Sequence, residues 1–289
     1  MYLETHCRCF DKAATIMDDE KDQSDMENRS PQIVSSPWRL CTVTQVEEVK
    51  WLCHMIPIWI CTIFYTTAYT QVFSLFVIQG AAMDTHLGSF NVPPASLYAV
   101  DCVTVVVCIM AYNKWLMPLA IRWTGRPEGL SGLQRIGLGM PIIVLAMLEA
   151  GFVEMVRLRK RRTGENISIL WQVPQFMTTG VSETFTYIGQ MQFFYDQAPD
   201  AMRSIGSTLT PASTALGNYL NILLVRVISR LTGNPGWIPN SGSIDMGHLD
   251  YFFTIAILTI INFGLFCLIS IGYKYIKLHE ISPSLPAMS

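Results

Sequence analysis

At 289 residues, with 15% charged side chains and a net charge of −2, the chain is too poor in charge for an ordinary soluble domain, which carries about 25%, and it has no basic field for nucleic acid. Its mean hydropathy is +0.33, and outside the polar first 50 residues it runs in long apolar stretches, the pattern of a membrane protein. Among its eight cysteines there is no CxxC pair, and its five histidines are scattered, so neither a zinc site nor a disulfide framework organises it.

In chain order, the lead MYLETHCRCFDKAATIMDDEKDQ lacks the apolar region of a signal peptide and reads as a cytosolic segment. The expected division is a polar lead over 1–48, a six-helix membrane bundle over 49–276 and a cytosolic tail over 277–289. A spanning helix needs about 20 mainly apolar residues. Six stretches qualify, at 51–78, 95–121, 133–156, 168–194, 201–231 and 249–273. The fourth and fifth carry Thr, Ser, Gln, Gly and Asn throughout, which predicts that they face a bundle interior or a wet cavity rather than lipid. Prolines 57, 118, 141, 174 and 211 fall within or near the ends of spans, where each is either a tolerated kink or part of a gate.

The loop 79–94 carries no Lys or Arg, and the next loop holds Lys114, Arg122, Arg126 and Arg135. Both fit a cytoplasmic amino terminus under the positive-inside rule. The run Arg157 to Arg162 breaks that rule and is expected to be a solvated loop or a headgroup contact. Both termini are expected to be cytoplasmic.

A carboxylate near the bilayer centre costs roughly 2.5–3.5 kcal/mol on insertion scales, so it is a functional candidate by default. Glu183 lies mid-span in QVPQFMTTGVSETFTYIGQMQFF. Positions 179, 183, 186, 187 and 190 follow helical spacing, which predicts one polar stripe of Thr179, Glu183, Thr186, Tyr187 and Gln190 facing a cavity. Set there, Glu183 could exchange a proton or pair with a cation; the competing reading is a structural carboxylate. The first span adds Tyr65 and Tyr69, four apart on one face, and Gln71. Their polar groups suit a polar solute, against a reading as aromatic packing. Asp101, near the start of the second span, is either interfacial or paired across the bundle. Glu149 and Glu154 are expected at the membrane interface. There is no GxGxxG, P-loop, HExxH or nucleophile elbow, and neither an enzyme nor a cofactor is expected.

Several stretches together resemble the plant nitrate/peptide transporter family, the plant branch of the proton-dependent oligopeptide transporters. They are FDKAA at 10–14, WRLCTVTQVEEVK at 38–50, GSFNVPPAS at 88–96, LQRIGLG at 133–139, WQVPQF and GVSETFTYIGQMQFFYDQAPDAMRS within 171–204, GWIPN at 236–240 and GHLDYFF at 247–253. The finer likeness, resting on LFVIQGAAMDTHLGSF, is to the subfamily that includes nitrate and potassium loaders of the xylem. The resemblance implies an all-α membrane protein with six transmembrane helices equivalent to the carboxyl-terminal half of a major facilitator fold, the solute bound between halves at mid-membrane. It puts Glu183 at the family's tenth-helix glutamate, which helps line the substrate and proton site of peptide carriers. It puts Tyr69 where the best-known nitrate carrier has its nitrate-binding histidine. A neutral tyrosine lacks the charge an imidazolium offers an anion.

The resulting expectation is half of a proton-coupled secondary transporter of the plasma membrane, incomplete by itself, moving a small solute. Nitrate comes first, then potassium, peptides or other metabolites. Its expected partners are the solute, the proton, the lipid bilayer and a full-length homologous transporter. The rival is a non-transporting short isoform or fragment acting as a membrane interaction protein.

Overall fold

The computed structural model describes residues 43–125, 129–198, 202–232 and 249–273. Most of the expected lead, the PGWIPN stretch and the expected tail lie outside the described residues. Helix is already present at Val43, inside the stretch expected to be polar lead.

The first span is α1 (Val43–Tyr69), a 3-10 turn (Thr70–Phe73) and α2 (Leu75–Ala81). The break follows from its side chains. Thr70 Oγ1 donates to the carbonyl of Thr66 at 2.7 Å, Gln71 Nε2 to that of Thr67 at 3.1 Å and Ser74 Oγ to that of Thr70 at 3.2 Å. Side chains that bond the preceding turn compete with the helix ladder and bend it. A hairpin of β1 (His86–Leu87) and β2 (Phe90–Asn91) then follows, an element the sequence reading did not contain. Gly88, at φ 63°, supplies the left-handed residue its tight turn needs.

The second span is a 3-10 turn (Pro94–Leu97), α3 (Tyr98–Ala111), a π-helical turn (Tyr112–Leu116) and α4 (Met117–Thr124). The left-handed Gly125 ends it, at φ 65°. Helix α5 (Gly132–Arg162) begins with a capping box between Ser131 and Gln134. A 3-10 turn (Ile169–Gln172) leads into α6 (Val173–Gln197), and α7 (Arg203–Thr232) and α8 (Leu249–Gly272) complete the chain. Pro174 stands in the first turn of α6, where a missing N–H costs little, and Pro118 follows directly on the π-helical turn of the second span.

Residues 52–81, 94–124, 132–162 and 249–272 are long and apolar enough to cross a membrane by themselves. Helices α6 and α7 match them in length but are more polar; α6 is buried along much of its length, whereas α7 buries one stripe of Gly206, Thr210, Ser213, Gly217 and Asn221 and leaves Tyr219, Leu223 and Leu231 exposed. Helices α5, α6, α7, α1 and α8 contact one another in a ring, with α3 against the flank of α6. The α5–α6 contact is the most extensive, because small residues let the backbones approach. A Cβ on Gly139 would lie 2.9 Å from the carbonyl oxygen of Ser182, and one on Gly189 would lie 3.0 Å from that of Gly132.

One end of the bundle is tied by a buried polar cluster. Arg157 meets Glu154 through two hydrogen bonds, at 2.9 and 2.7 Å. Gln79 Nε2 donates to the carbonyl of Ala150 and to Glu154 Oε2, each at 3.1 Å, and Gln172 and Gln175 both donate to Gln79 Oε1. Glu154 is fully buried within the protein at this end, and one expectation is corrected: Arg157 is buried rather than part of a solvated loop. The basic run continues α5 to its end. Only Arg159 to Arg162 are exposed, where their charges oppose the negative end of the helix dipole.

Candidate functional site

The 3-10 break in the first span, the start of α3, the middle of α6 and the first half of α7 enclose an open cavity of about 530 Å³. The first span contributes Tyr65, Thr66, Tyr69 and Phe73, and α3 contributes Tyr98. Helix α6 contributes Glu183, Tyr187 and Gln190, spaced so that all three look the same way. Helix α7 contributes Pro211, Thr214, Ala215 and Asn218.

Five of the seven expected site residues therefore border one cavity: Tyr65, Tyr69, Glu183, Tyr187 and Gln190. Two do not. Gln71 is fully buried and donates to Oδ1 of Asn221 at 2.8 Å. Its polarity serves packing of the first span against α7. Thr186 is also fully buried, in the α5–α6 seam against Gly139. Adjacent residues on a helix point about 100° apart. A stripe wide enough to include both 186 and 187 thus serves two neighbours, with Thr186 in the seam and Tyr187 at the cavity. Thr179 goes the same way as Thr186, fully buried and donating to the carbonyl of Gln175 at 2.6 Å.

The polar groups on the wall have different amounts of freedom. Ser182 Oγ donates to the carbonyl of Gly139 at 2.7 Å, so the 3.0 Å bond between it and Tyr65 is donated by the tyrosine. The Tyr65 hydroxyl hydrogen is thus committed to the scaffold, and the ring is what the cavity meets. Tyr69 lies beside Glu183 and Tyr98, and Phe73 bridges the two tyrosines, 5.9 Å from the Tyr69 ring and 4.9 Å from the Tyr98 ring. Gln190 accepts weakly from Ser213 at 3.4 Å, while its amide nitrogen has no partner among the described residues.

Asp101 lies behind this wall, wholly buried, close enough to Glu183 for the two carboxyls to act on one another. Neither of its oxygens has a hydrogen-bond partner among the described residues. Gly180 makes the space, since a Cβ there would lie 2.8 Å from the Asp101 carbonyl oxygen and 3.3 Å from Oδ1. The carboxyl faces the acid Glu183 of a neighbouring helix. Among the described residues no Lys, Arg or His lines the cavity, and the carboxyl it presents is that of Glu183. With aromatic faces around it, such a surface attracts cations or protonated amines and repels anions.

The sequence reading missed Phe73, Tyr98 and the α7 wall. For α7 a signal existed: Pro211, Thr214 and Asn218 recur at helical spacing in a span already marked as polar. For Tyr98 and Phe73 there was none, because aromatic side chains in apolar spans are ordinary.

The family model described as POT family matches residues 10–242. The chain is 44% identical over 271 residues to Protein NRT1/ PTR FAMILY 8.1 of Arabidopsis thaliana, covering 89% of this chain and 47% of that protein. It is 42% identical over 284 residues to Protein NRT1/ PTR FAMILY 7.2 of the same plant, covering 93% and 47%. The chain thus spans about half the length of the curated relatives it matches. Among solved structures, the crystal structure of an auto-inhibited POT family peptide transporter superposes with a TM-score of 0.65 at 20% identity, covering 81% of this chain and 43% of that one. The POT family transporter PepTSo gives 0.60 at 22% identity, covering 80% and 43%. At these identities the structures speak for the fold: an all-α membrane protein of the major facilitator type.

Proposed function

Since the chain belongs to the POT family of membrane transporters, we propose that its acidic cavity is one wall of the path by which a proton-coupled secondary transporter moves a small solute. The observation that carries this reading is the position of Glu183, a carboxylate within the bundle that borders an open cavity instead of being sealed by protein. A half-buried acid open to a cavity can take up and release a proton as its surroundings change, which alternating access requires. The chain's coverage of its relatives supports a second wall supplied by residues beyond those present here.

Nitrate leads the expectation from sequence. The lining favours the other candidates, because an acidic wall without a basic side chain attracts potassium, amines or the amino end of a peptide. Nitrate transport would need a cation from outside the described lining. We place the protein in the plasma membrane, with both termini cytoplasmic.

The test is to join this chain to the amino-terminal half of a plant relative and measure uptake of a dipeptide, potassium and nitrate into proteoliposomes against external pH. Glu183→Gln should flatten the pH dependence of uptake while leaving membrane insertion unchanged. If the pH dependence survives, Glu183 has no part in coupling. The rival reading, a non-transporting partner of full-length carriers, rests on the half-length match. It predicts no uptake from the joined protein, together with co-purification of the chain with a full-length relative.

A further inference from the structure

A second cavity, of about 280 Å³, opens between the end of α3, the start of α5 and the middle of α6. It shares no lining residue with the acidic cavity, and its chemistry is the opposite. Its polar lining includes Arg135, Tyr112 and Asn113, while Ile109, Phe185 and Ile188 form an apolar wall. Among the described residues no Asp or Glu lines it.

The Arg135 guanidinium lies 4.7 Å over the Tyr112 ring, and its Nε is buried without a hydrogen-bond partner among the described residues. The Tyr112 hydroxyl is likewise buried without a partner, on a residue only 9% exposed. An unmatched buried donor costs about 1–3 kcal/mol, and here two stand at one cavity beside a cation that has no ion pair among the described residues. The π-helical turn begins at Tyr112. Its extra residue per turn places both Tyr112 and Asn113 on the cavity, and such turns are common at functional sites. Arg135 stands in the first turn of the long α5, where the positive end of the helix dipole adds to its charge.

The position in the membrane narrows the ligand. Trp115 and Trp123 on the same span are 67% and 83% exposed, and the Lys114 ammonium lies 5.9 Å over the Trp115 ring. Exposed tryptophans with neighbouring basic residues mark the level of the lipid headgroups. We propose that Arg135, Tyr112 and Asn113 form a binding site for a phosphate group carrying net negative charge, presented by a membrane lipid or free in solution. The guanidinium fork and the tyrosine hydroxyl supply donors to the phosphate oxygens, and the apolar wall accepts the start of an acyl chain. This site is independent of the transport reading.

The test is native mass spectrometry of the purified chain released from detergent with phosphatidic acid, phosphatidylcholine or inorganic phosphate. Phosphatidic acid should be retained and phosphatidylcholine lost. Arg135→Gln should reduce retention about tenfold or more, and Tyr112→Phe, which keeps the ring, about threefold. Arg159→Gln, an exposed arginine elsewhere on α5, should change nothing. Inorganic phosphate that binds and displaces the lipid identifies the free ion as a ligand of the same site; phosphate that fails to do so identifies the lipid. Equal retention of the two lipids, or retention that neither Arg135→Gln nor Tyr112→Phe reduces in a chain with unchanged helical content, overturns the proposal.

Discussion

Gln71 Nε2 donates to Asn221 Oδ1 at 2.8 Å, joining the 3-10 break of the first span to α7 across 150 residues of sequence. The same oxygen accepts from the Tyr251 hydroxyl of α8 at 3.2 Å. One asparagine thus gathers three spans behind the acidic cavity. Asn221→Leu leaves two buried donors without an acceptor and should destabilise the bundle by about 1–3 kcal/mol. Unfolding of the purified chain by titration with a denaturing detergent measures this. A variant as stable as the parent would show that water or a rearranged partner replaces the asparagine.

Gly217 of α7 packs on Thr66 of α1, where a Cβ would come within 2.9 Å of the threonine Cβ. Gly217→Val should overpack this contact and cost about 1–3 kcal/mol. Thr66→Ala removes the hydroxyl that also meets this Cβ but keeps the threonine Cβ position, so adding it should recover only part of the loss, and the double-mutant cycle gives the coupling directly.

Arg157→Met strands the Glu154 carboxylate among buried groups and should cost about 3–5 kcal/mol. Neutralising both partners, as Glu154→Gln with Arg157→Met, should cost clearly less. Equal losses in the single and double variants would show that charge pairing is not what the cluster contributes.

From the last turn of α5, the Lys160 ammonium holds the carboxyl of Glu165, in the loop that follows, below its ordinary value of 4.5, by hydrogen bond and charge. A depressed acid contributes its pairing above that range and loses it as pH falls through the lowered midpoint. Carbon-13 titration of Glu165 should show the midpoint move up toward the ordinary value in Lys160→Gln. The pair is exposed, so global stability should hardly change.

Much of this protein was legible before any coordinates. Long apolar runs specify spanning helices because a backbone in hydrocarbon must satisfy its hydrogen bonds within the helix. A carboxylate at mid-span is costly enough that Glu183 stands out from composition alone. What the sequence could not decide is which polar residues face the cavity and which hold the helices together. Thr186 and Tyr187 are neighbours of similar character in the chain, yet one is locked against Gly139 and the other borders the cavity. Gln71 looked like a ligand group and is a strut. Asp101 looked interfacial or paired and lies buried beside Glu183. The physical reason is that a polar side chain in a membrane helix meets the same requirement, a partner for its hydrogen bonds, whether that partner is water, solute or another helix. Only the packing of the spans, set by where glycines let backbones approach, determines which partner each one meets.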